Sequence, residues 1–339
     1  MDLAELTTLR LGGPARQVVE ATTEADLIDA VRVVDEAGDP LLLVAGGSNL
    51  VVSDDGFDGT VVRVLTRGVE VDADACSGAM VTVQAGEPWD PFVERAVAAG
   101  WVGVEALSGI PGSVGATPIQ NVGAYGQEVA QTIASVRVYD RFDRAVRTVA
   151  ASDCGFTYRS SRFKAEPHRF VVLTVTFQLP LGDLGAPIAY AELARTLGVD
   201  VGERVPATDV REAVLSLRRG KGMVLDPDDH DTWSAGSFFT NPVLSADDAS
   251  TLPDDAPRFP QPDGSVKTSA AWLIERAGFS RGHGTDKVAL SGKHTLAITN
   301  RGGATTDDLL ALAREVRDGV REAFGITLVP EPVLVGEVL

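Results

Sequence analysis

Residues 107–126, reading LSGIPGSVGATPIQNVGAYG, constrain this chain more than any other stretch. The run holds Gly109, Gly112, Gly115, Gly123, Gly126 and two prolines, with no charged side chain, yet it carries Gln120, Asn121 and Tyr125. A surface linker would normally carry charge, and a core strand would not tolerate so much glycine. The segment therefore reads as backbone brought close to a large ligand. Gly109, Gly112 and Gly115 recur every three residues, which suits a chain turning repeatedly so that its N–H groups face phosphate. The plainer alternative is a long structural loop.

A chain of 339 residues can hold two or three domains and bury a substantial core. With 44% hydrophobic and 23% charged residues it is ordinary globular protein, neither disordered nor fibrous. The formal net charge of −18 argues against a nucleic-acid backbone or an anionic membrane as partner. No apolar run approaches the length that spans a bilayer, and MDLAELTTLR lacks a basic region followed by an apolar core. Cys76 and Cys154 match neither a disulfide framework nor a zinc cluster, so a reducing cytoplasm is the simplest location.

Along the chain, Thr23 is placed to cap a helix whose Leu27, Ile28, Val31 and Val34 share a face, ending at Gly38. LLLVA (41–45) reads as a buried strand running into GGSNL (46–50). Strands are expected at 60–65 and 80–85, and a helix from Trp89 to Ala99. The runs 135–140 and 145–150 form a hairpin signal, and FVVLTVTFQL (170–179) is the strongest strand. Pro180–Pro187 looks like a boundary. Beyond it come helices near 210–217 and 270–277, a strand at 295–300, and a long helix capped by Thr306 and stopped by Gly325. A last strand is expected from Thr327 to Val335, with Glu331 inside it. Mixed elements without regular alternation give an α+β class.

Several constellations could carry chemistry. GGSNL is either an anion cradle of backbone amides helped by Ser48 and Asn49, or a tight exit from a strand. Two uncharged glycine-rich loops in one N-terminal half could hold a dinucleotide pyrophosphate between them, although no GxGxxG motif occurs. In YRSSRFK (158–164), Arg159 could clamp a carboxylate in a bidentate fork, or belong to a solvated basic face. Ser237 in GSFFTNP has an apolar neighbourhood and no histidine relay, which suits a hydroxyl delivering a proton; a capped turn is the bland reading. Glu331 in LVPEPVLV must be paired, protonated or functional if buried, and otherwise makes a rim salt bridge. No carboxylate or cysteine cluster suggests a metal.

Taken together, TTLRLGGPA (7–15), AGGSNLVVSDDGFDGTVV (45–62), SGIPGSVGATPIQNVGAYGQEV (108–129), YRSSRFK, SAGSFFTNP and the terminal PEP resemble the UDP-N-acetylenolpyruvoylglucosamine reductase family, in its order and across nearly the whole chain. The resemblance implies an FAD-binding region of the vanillyl-alcohol-oxidase/PCMH type, in two subdomains, over 1–182. A smaller α+β substrate domain would follow over 183–339, with the last helix and strand packing back on the FAD region. FAD, held without a covalent bond, would be contacted by Gly46, Gly47, Ser48, Asn49, Leu50, Ile110, Pro111, Gly112, Ser113, Gly115, Ala116, Gln120, Asn121, Gly123, Ala124 and Tyr125. Arg159, Ser237 and Glu331 fall on the family's catalytic positions. Tyr125, Tyr158, Arg159, Tyr190, Lys221, Asn241 and His294 fall on substrate-contacting ones. Tyr190, in IAYAEL, is similar to the tyrosine loop of one family subtype. The segment between Lys221 and Ser237 is longer than in many members.

The implied reaction uses NADPH as hydride donor to reduce the enolpyruvyl ether of a UDP-sugar in peptidoglycan precursor synthesis. Hydride adds at the terminal alkene carbon and charge grows on the carboxylate. Arg159 would bind that charge, Glu331 would donate a hydrogen bond to the same carboxylate, and Ser237 would deliver the proton. Two other classes stay open: a flavin oxidase of the same fold, and a non-catalytic nucleotide-sugar binding module.

Overall fold

The run expected to be the strongest strand sits at the centre of the largest sheet. The computed structural model describes residues 1–74 and 77–339, so Cys76 lies outside the described residues. Phe170–Leu179 is one strand along which only Thr176 and Gln178 escape burial. Such continuous burial fits a strand covered on both faces. The sheet is antiparallel, in the order Ala145–Ala150, Ile133–Asp140, Phe170–Leu179, Gly78–Gln84, Val69–Asp74. Val175 stands opposite Val83 on one side and Val136 on the other. From the helix Trp89–Ala98, Trp89 and Phe92 pack on Phe177 with ring centroids 6.0 and 5.2 Å away. Burying side chains of this size contributes about 1.5–3 kcal/mol each. The expected hairpin is present, and buried Asp140 organises its tip by accepting the N–H groups of Phe142 and Asp143 and the Arg169 guanidinium.

The helix Glu24–Ala37 starts and stops as expected, with a Thr23–Asp26 capping box and Gly38 left-handed at φ 69°. Leu41–Val44 is a strand parallel to Phe57–Val64, but only Val44 is fully buried. Leu41 and Leu43 lean on the core edge rather than into it, so the buried-strand reading is corrected.

The compact units do not follow a single cut after residue 182. One comprises Arg16–Gly46 and Asp58–Gly220; the other comprises Met1–Ala15, Gly47–Phe57 and Lys221–Leu339. Residues 183–220 stay with the first because the helices Ala191–Leu197 and Ala207–Gly220 bury Leu193, Ala194, Val210 and Val214 against Ala106 and Ile188. The second draws in two N-terminal pieces because the last strand, Val333–Val335, pairs in parallel with Leu50–Val52. Its core gathers Leu9, Val51, Phe238, Phe239, Leu273 and Ile298 around the helix Thr306–Phe324.

Three expectations for this second unit are corrected. Thr305 caps the long helix, accepting the Asp308 N–H at 3.1 Å in a reciprocal capping box. Thr306 is buried and donates its hydroxyl to the Val52 carbonyl at 2.6 Å. The strand expected from 295 shortens to Ile298–Asn300, because His294 and Ala297 close a turn before it. The last strand shortens to Val333–Val335, since Pro330 and Pro332 have no N–H for a ladder.

Thr305→Ala should lower unfolding free energy by about 1 kcal/mol through loss of the cap. Thr306→Val, which leaves the Val52 carbonyl unmatched, should cost roughly 1–3 kcal/mol. Urea unfolding of both variants is the check, and an unchanged midpoint for Thr306→Val would refute the buried hydroxyl's role.

Candidate functional site

In the unit containing the large sheet, the two glycine-rich loops meet backbone to backbone. A side-chain carbon on Gly46 would stand 2.6 Å from the Gly112 Cα, closer than such atoms approach. Gly112 itself has φ 121°. Gly115 lies against Ala85, where an added carbon would come within 2.5 Å of the alanine methyl. The three-residue glycine recurrence therefore serves two purposes. Gly109 gives its N–H to the Asp90 carboxylate at 2.6 Å and Gly115 gives its own to the Ala85 carbonyl at 2.8 Å. Those two amides are held within the protein, which corrects the expectation that each repeat offers an amide to phosphate. The Ala116 N–H likewise goes to the Ser113 carbonyl. Ser113 is buried and bridges to Pro88, while Ile110 and Pro111 are half-buried.

The second half of the run is pinned by side chains. Asn121 donates to the Glu128 carboxylate at 2.8 Å and to the Thr157 carbonyl at 2.9 Å. Gln120 accepts from Lys164, whose ammonium also reaches the Arg159 carbonyl. Arg159 donates to the Gly123 carbonyl at 2.8 Å, and its guanidinium lies 5.3 Å from the Tyr158 ring centre. Ala124 pairs with Gln127 in a two-residue ladder. Tyr125 meets Tyr190 edge-on, ring centroids 5.6 Å apart. Among the described residues five that are not glycine have left-handed φ, and Asn121, Tyr125 and Arg159 are three of them. Strained backbone of this kind clusters at binding and catalytic positions. Burial pushes the Tyr125 phenol up to about 12, so it stays a neutral hydrogen-bonding group.

In the other unit three distant segments converge. Gly47 is buried under the Leu6 carbonyl, which would stand 1.7 Å from an added carbon. Leu50 begins the strand beside Val333, and Ser48 and Asn49 lie at the turn before it. The Asn49 amide donates to the Glu331 carbonyl at 3.4 Å. The Glu331 N–H donates to the Phe238 carbonyl at 2.8 Å, next in sequence to Ser237. The Val333 N–H returns to the Asn49 carbonyl. Glu331 is half-buried, with neighbours Val329 and Val333 60% and 51% exposed, so the apolar burial expected around this acid is absent. Asn241 accepts the Ala270 N–H at 2.9 Å, a structural duty the sequence did not suggest. Lys221 and His294 are half-buried, at the start of this unit and in the turn before Ala297.

Sequence reasoning missed Asp90, Glu105 and Arg218. Asp90 holds Arg211 in a fork at 2.6 and 3.1 Å as well as the Gly109 N–H; burial alone would raise its carboxyl, and these partners outweigh it. Glu105 is fully buried and accepts the Gly103, Ala186 and Gln127 N–H groups. Arg218 is enclosed enough that burial lowers its guanidinium to about 10. Each is an ordinary charged residue whose environment is made by chain far away, so no local signal marks it. No cluster of three or more metal-binding side chains exists among the described residues.

Residues 15–148 match the model of an FAD binding domain, and 226–335 match that of the UDP-N-acetylenolpyruvoylglucosamine reductase C-terminal domain. The UDP-N-acetylenolpyruvoylglucosamine reductase of Cutibacterium acnes is 59% identical over 337 residues, covering 98% of this chain and 89% of the relative. The chain belongs to the UDP-N-acetylenolpyruvoylglucosamine reductase family. Its namesake in Streptomyces coelicolor is 59% identical, covering 99% of this chain and 90% of its own. The crystal structure of the reductase (MurB) from Thermus caldophilus aligns with a TM-score of 0.65 at 25% identity, over 99% of this chain and 97% of that one. The α+β class, with an FAD-binding region followed by a smaller reductase-type region, is therefore the family's.

The residues present fit such a cofactor. At Gly46 and Gly112 the wall is bare backbone, as close approach to a pyrophosphate requires. In this reductase family member Gly46→Ala is expected to force the two loops apart and weaken FAD binding at least roughly tenfold. Flavin absorbance per protein after dialysis measures it, and full retention of FAD would rule out the two-loop cradle.

Proposed function

We propose that this chain reduces the enolpyruvyl group of a UDP-N-acetylglucosamine enolpyruvyl ether to the lactyl ether of UDP-N-acetylmuramate, with NADPH as donor. Bound FAD supplies the hydride acceptor and donor between the two substrates. The observation that carries the reading is the convergence of Asn49, Glu331 and the Ser237–Phe238 segment through two hydrogen bonds across most of the chain's length.

The roles follow from charge balance. Hydride arrives at the terminal alkene carbon, the π electrons move toward the carboxylate, and an enolate-like species results. Arg159 binds that growing negative charge, because its guanidinium stays protonated and presents a planar fork. Its left-handed backbone at φ 53° and its bond to Gly123 set the direction of the side chain. Glu331, when it carries its proton, donates a hydrogen bond to the same carboxylate. Ser237 delivers the proton to the carbon bearing the ether oxygen, directly or through a water. A hydroxyl suffices because the carbanion is strongly basic. Tyr125, Tyr158, Tyr190, Lys221, Asn241 and His294 contact the sugar nucleotide.

The edge contact of Tyr190 on Tyr125 supports the tyrosine-loop subtype. So does Gly126, where an added carbon would come within 2.7 Å of the Ala189 methyl. A cytoplasmic location belongs to the same proposal, because NADPH and nucleotide sugars are substrates of that compartment. No helix among the described residues is long and apolar enough to cross a membrane.

Ser237→Ala should leave anaerobic flavin reduction by NADPH near normal and slow reoxidation by the enolpyruvyl substrate at least about 100-fold. Equal loss in both half-reactions would refute the proton-donor role. Arg159→Lys should cost about tenfold or more in kcat/KM for the sugar nucleotide, since a point charge does not reproduce the fork. Wild-type turnover with NADPH in the absence of oxygen separates this reaction from that of a flavin oxidase.

A further inference from the structure

The segment 222–236, longer than the family resemblance led one to expect, is a strap with a definite set of grips. It starts beside Lys221 and ends beside Ser237. In its middle a short 3-10 turn, His230–Thr232, is capped by the Asp229 side chain, and the Thr232 hydroxyl ties the turn together by accepting the Asp226 N–H at 3.0 Å while its one proton lies within reach of the Asp226 and Asp229 carbonyls. This turn aims two carboxylates at one loop. Asp231, its side chain only 14% exposed, accepts the Gly292 N–H at 3.0 Å and the Arg301 guanidinium at 3.0 Å. Asp229 pairs with the ammonium of Lys293, immediately before His294. The beginning of the strap closes on the same point, for a side-chain carbon on Gly222 would stand 2.8 Å from the Asp231 carbonyl.

The strap's far end grips a second segment. The Trp233 carbonyl accepts the Asn300 N–H, and the Ser234 carbonyl accepts the Thr8 hydroxyl at 2.7 Å. Arg10, left-handed at φ 54°, lays its guanidinium 3.8 Å from the Trp233 ring centre, and His230 packs on the same indole at 4.1 Å. Thr8 in turn gives its N–H to the Gly47 carbonyl, in the glycine loop. The grips at Gly222, Ser234, Gly292 and Lys293 thus fall within three residues of Lys221, Ser237 or His294.

We infer that Asp231, seconded by Asp229, is a positioning residue that fixes the Gly292–His294 turn in register with Lys221 and Ser237, so setting affinity for the sugar nucleotide. Asp231 acts through backbone and neighbouring side chains. The inference rests on the proposed substrate contacts of Lys221 and His294, and it adds a determinant that the sequence motifs do not contain. Carboxylates suit the task because one oxygen can accept a backbone N–H and a guanidinium together, fixing two segments with one group.

The test uses the FAD-loaded enzyme, with steady-state kinetics for the enolpyruvyl sugar nucleotide and anaerobic stopped-flow for flavin reduction at saturating NADPH. Asp231→Ala should raise KM for the sugar nucleotide about tenfold while kcat stays within about threefold. Flavin content and the NADPH half-reaction should stay near wild type. Asp231→Asn, which keeps the acceptor oxygen, should recover most of the loss. In combination with His294→Ala the two effects on KM should fall well short of additive, as expected when one residue acts through the other. An unchanged KM in Asp231→Ala, with a raised KM in His294→Ala, would overturn the strap's role and leave the substrate reading intact. An unchanged KM in His294→Ala would instead remove the substrate reading, and the inference with it. Parallel losses of flavin, flavin reduction and melting temperature would show that Asp231 only holds the fold. Should Asp231→Ala not fold, Asp229→Asn breaks a half-exposed pair alone, and an unraised KM there would likewise overturn the inference.

Discussion

The approach of Gly46 onto Gly112 is the constraint from which the rest of the FAD-binding unit follows. Backbones that close leave no room for a side chain at Gly46, while Gly112 takes φ 121°, a conformation that side chains rarely adopt. The protein answers with fixed anchors around the contact. The Trp89 N–H takes the Gly112 carbonyl, the Val114 N–H takes the Glu87 carbonyl, and the Trp89 indole takes the Leu107 carbonyl at 3.0 Å. Asp90 then holds the Gly109 N–H from the first turn of the same helix. One short helix therefore organises much of the glycine run, and the bulk of Trp89 and Phe92 under it ties that run to the central sheet.

The second unit solves a different problem, because its parts are far apart in sequence. Closing a loop across most of a chain is entropically costly, though the cost grows only slowly with loop length. The return is made by a parallel pairing of three residues on each side, too short to stand alone. It is reinforced where Thr306 and Asp54 cross-link the long helix to the Leu50–Val52 segment, and where Glu331 shares its backbone groups between Phe238 and Asn49. Pro330 and Pro332 matter here by what they lack. Without their N–H groups the chain cannot extend the ladder, and the acid between them is left at the edge of the sheet instead of inside it.

Local physics was legible in the sequence, and distant partnership was not. Thr23, Gly38, Gly325 and the run Phe170–Leu179 depend on neighbours within a few residues, and each was readable from spacing. The glycine run reads as backbone brought close to a ligand because its composition fits neither a linker nor a strand. Its individual amides were misread because Gly109 and Gly115 find acceptors in Asp90 and Ala85, outside the run. Thr305 and Thr306 are equally good caps on paper. Only the position of the Val52 carbonyl decides which hydroxyl is spent on the helix and which on the core. Asn241 and Asp231 were opaque for the same reason, their acceptor oxygens being committed to Ala270 and Gly292, 29 and 61 residues away.

Arg218 shows what residue type means in such an environment. Burial lowers its guanidinium to about 10, with the Asp90 carboxylate acting in the opposite direction. The group still carries its proton at neutral pH because arginine starts so high. A lysine begins near 10.4, about two units below arginine, and the same enclosure would bring it close to neutrality. Arginine thus keeps a fixed positive charge beside half-buried Tyr125 where lysine would become a titrating one. The raised Tyr125 phenol is the complementary case, since the burial that weakens a cation's hold on its proton strengthens a phenol's. Between them the interior keeps one group charged and the other neutral across the physiological range.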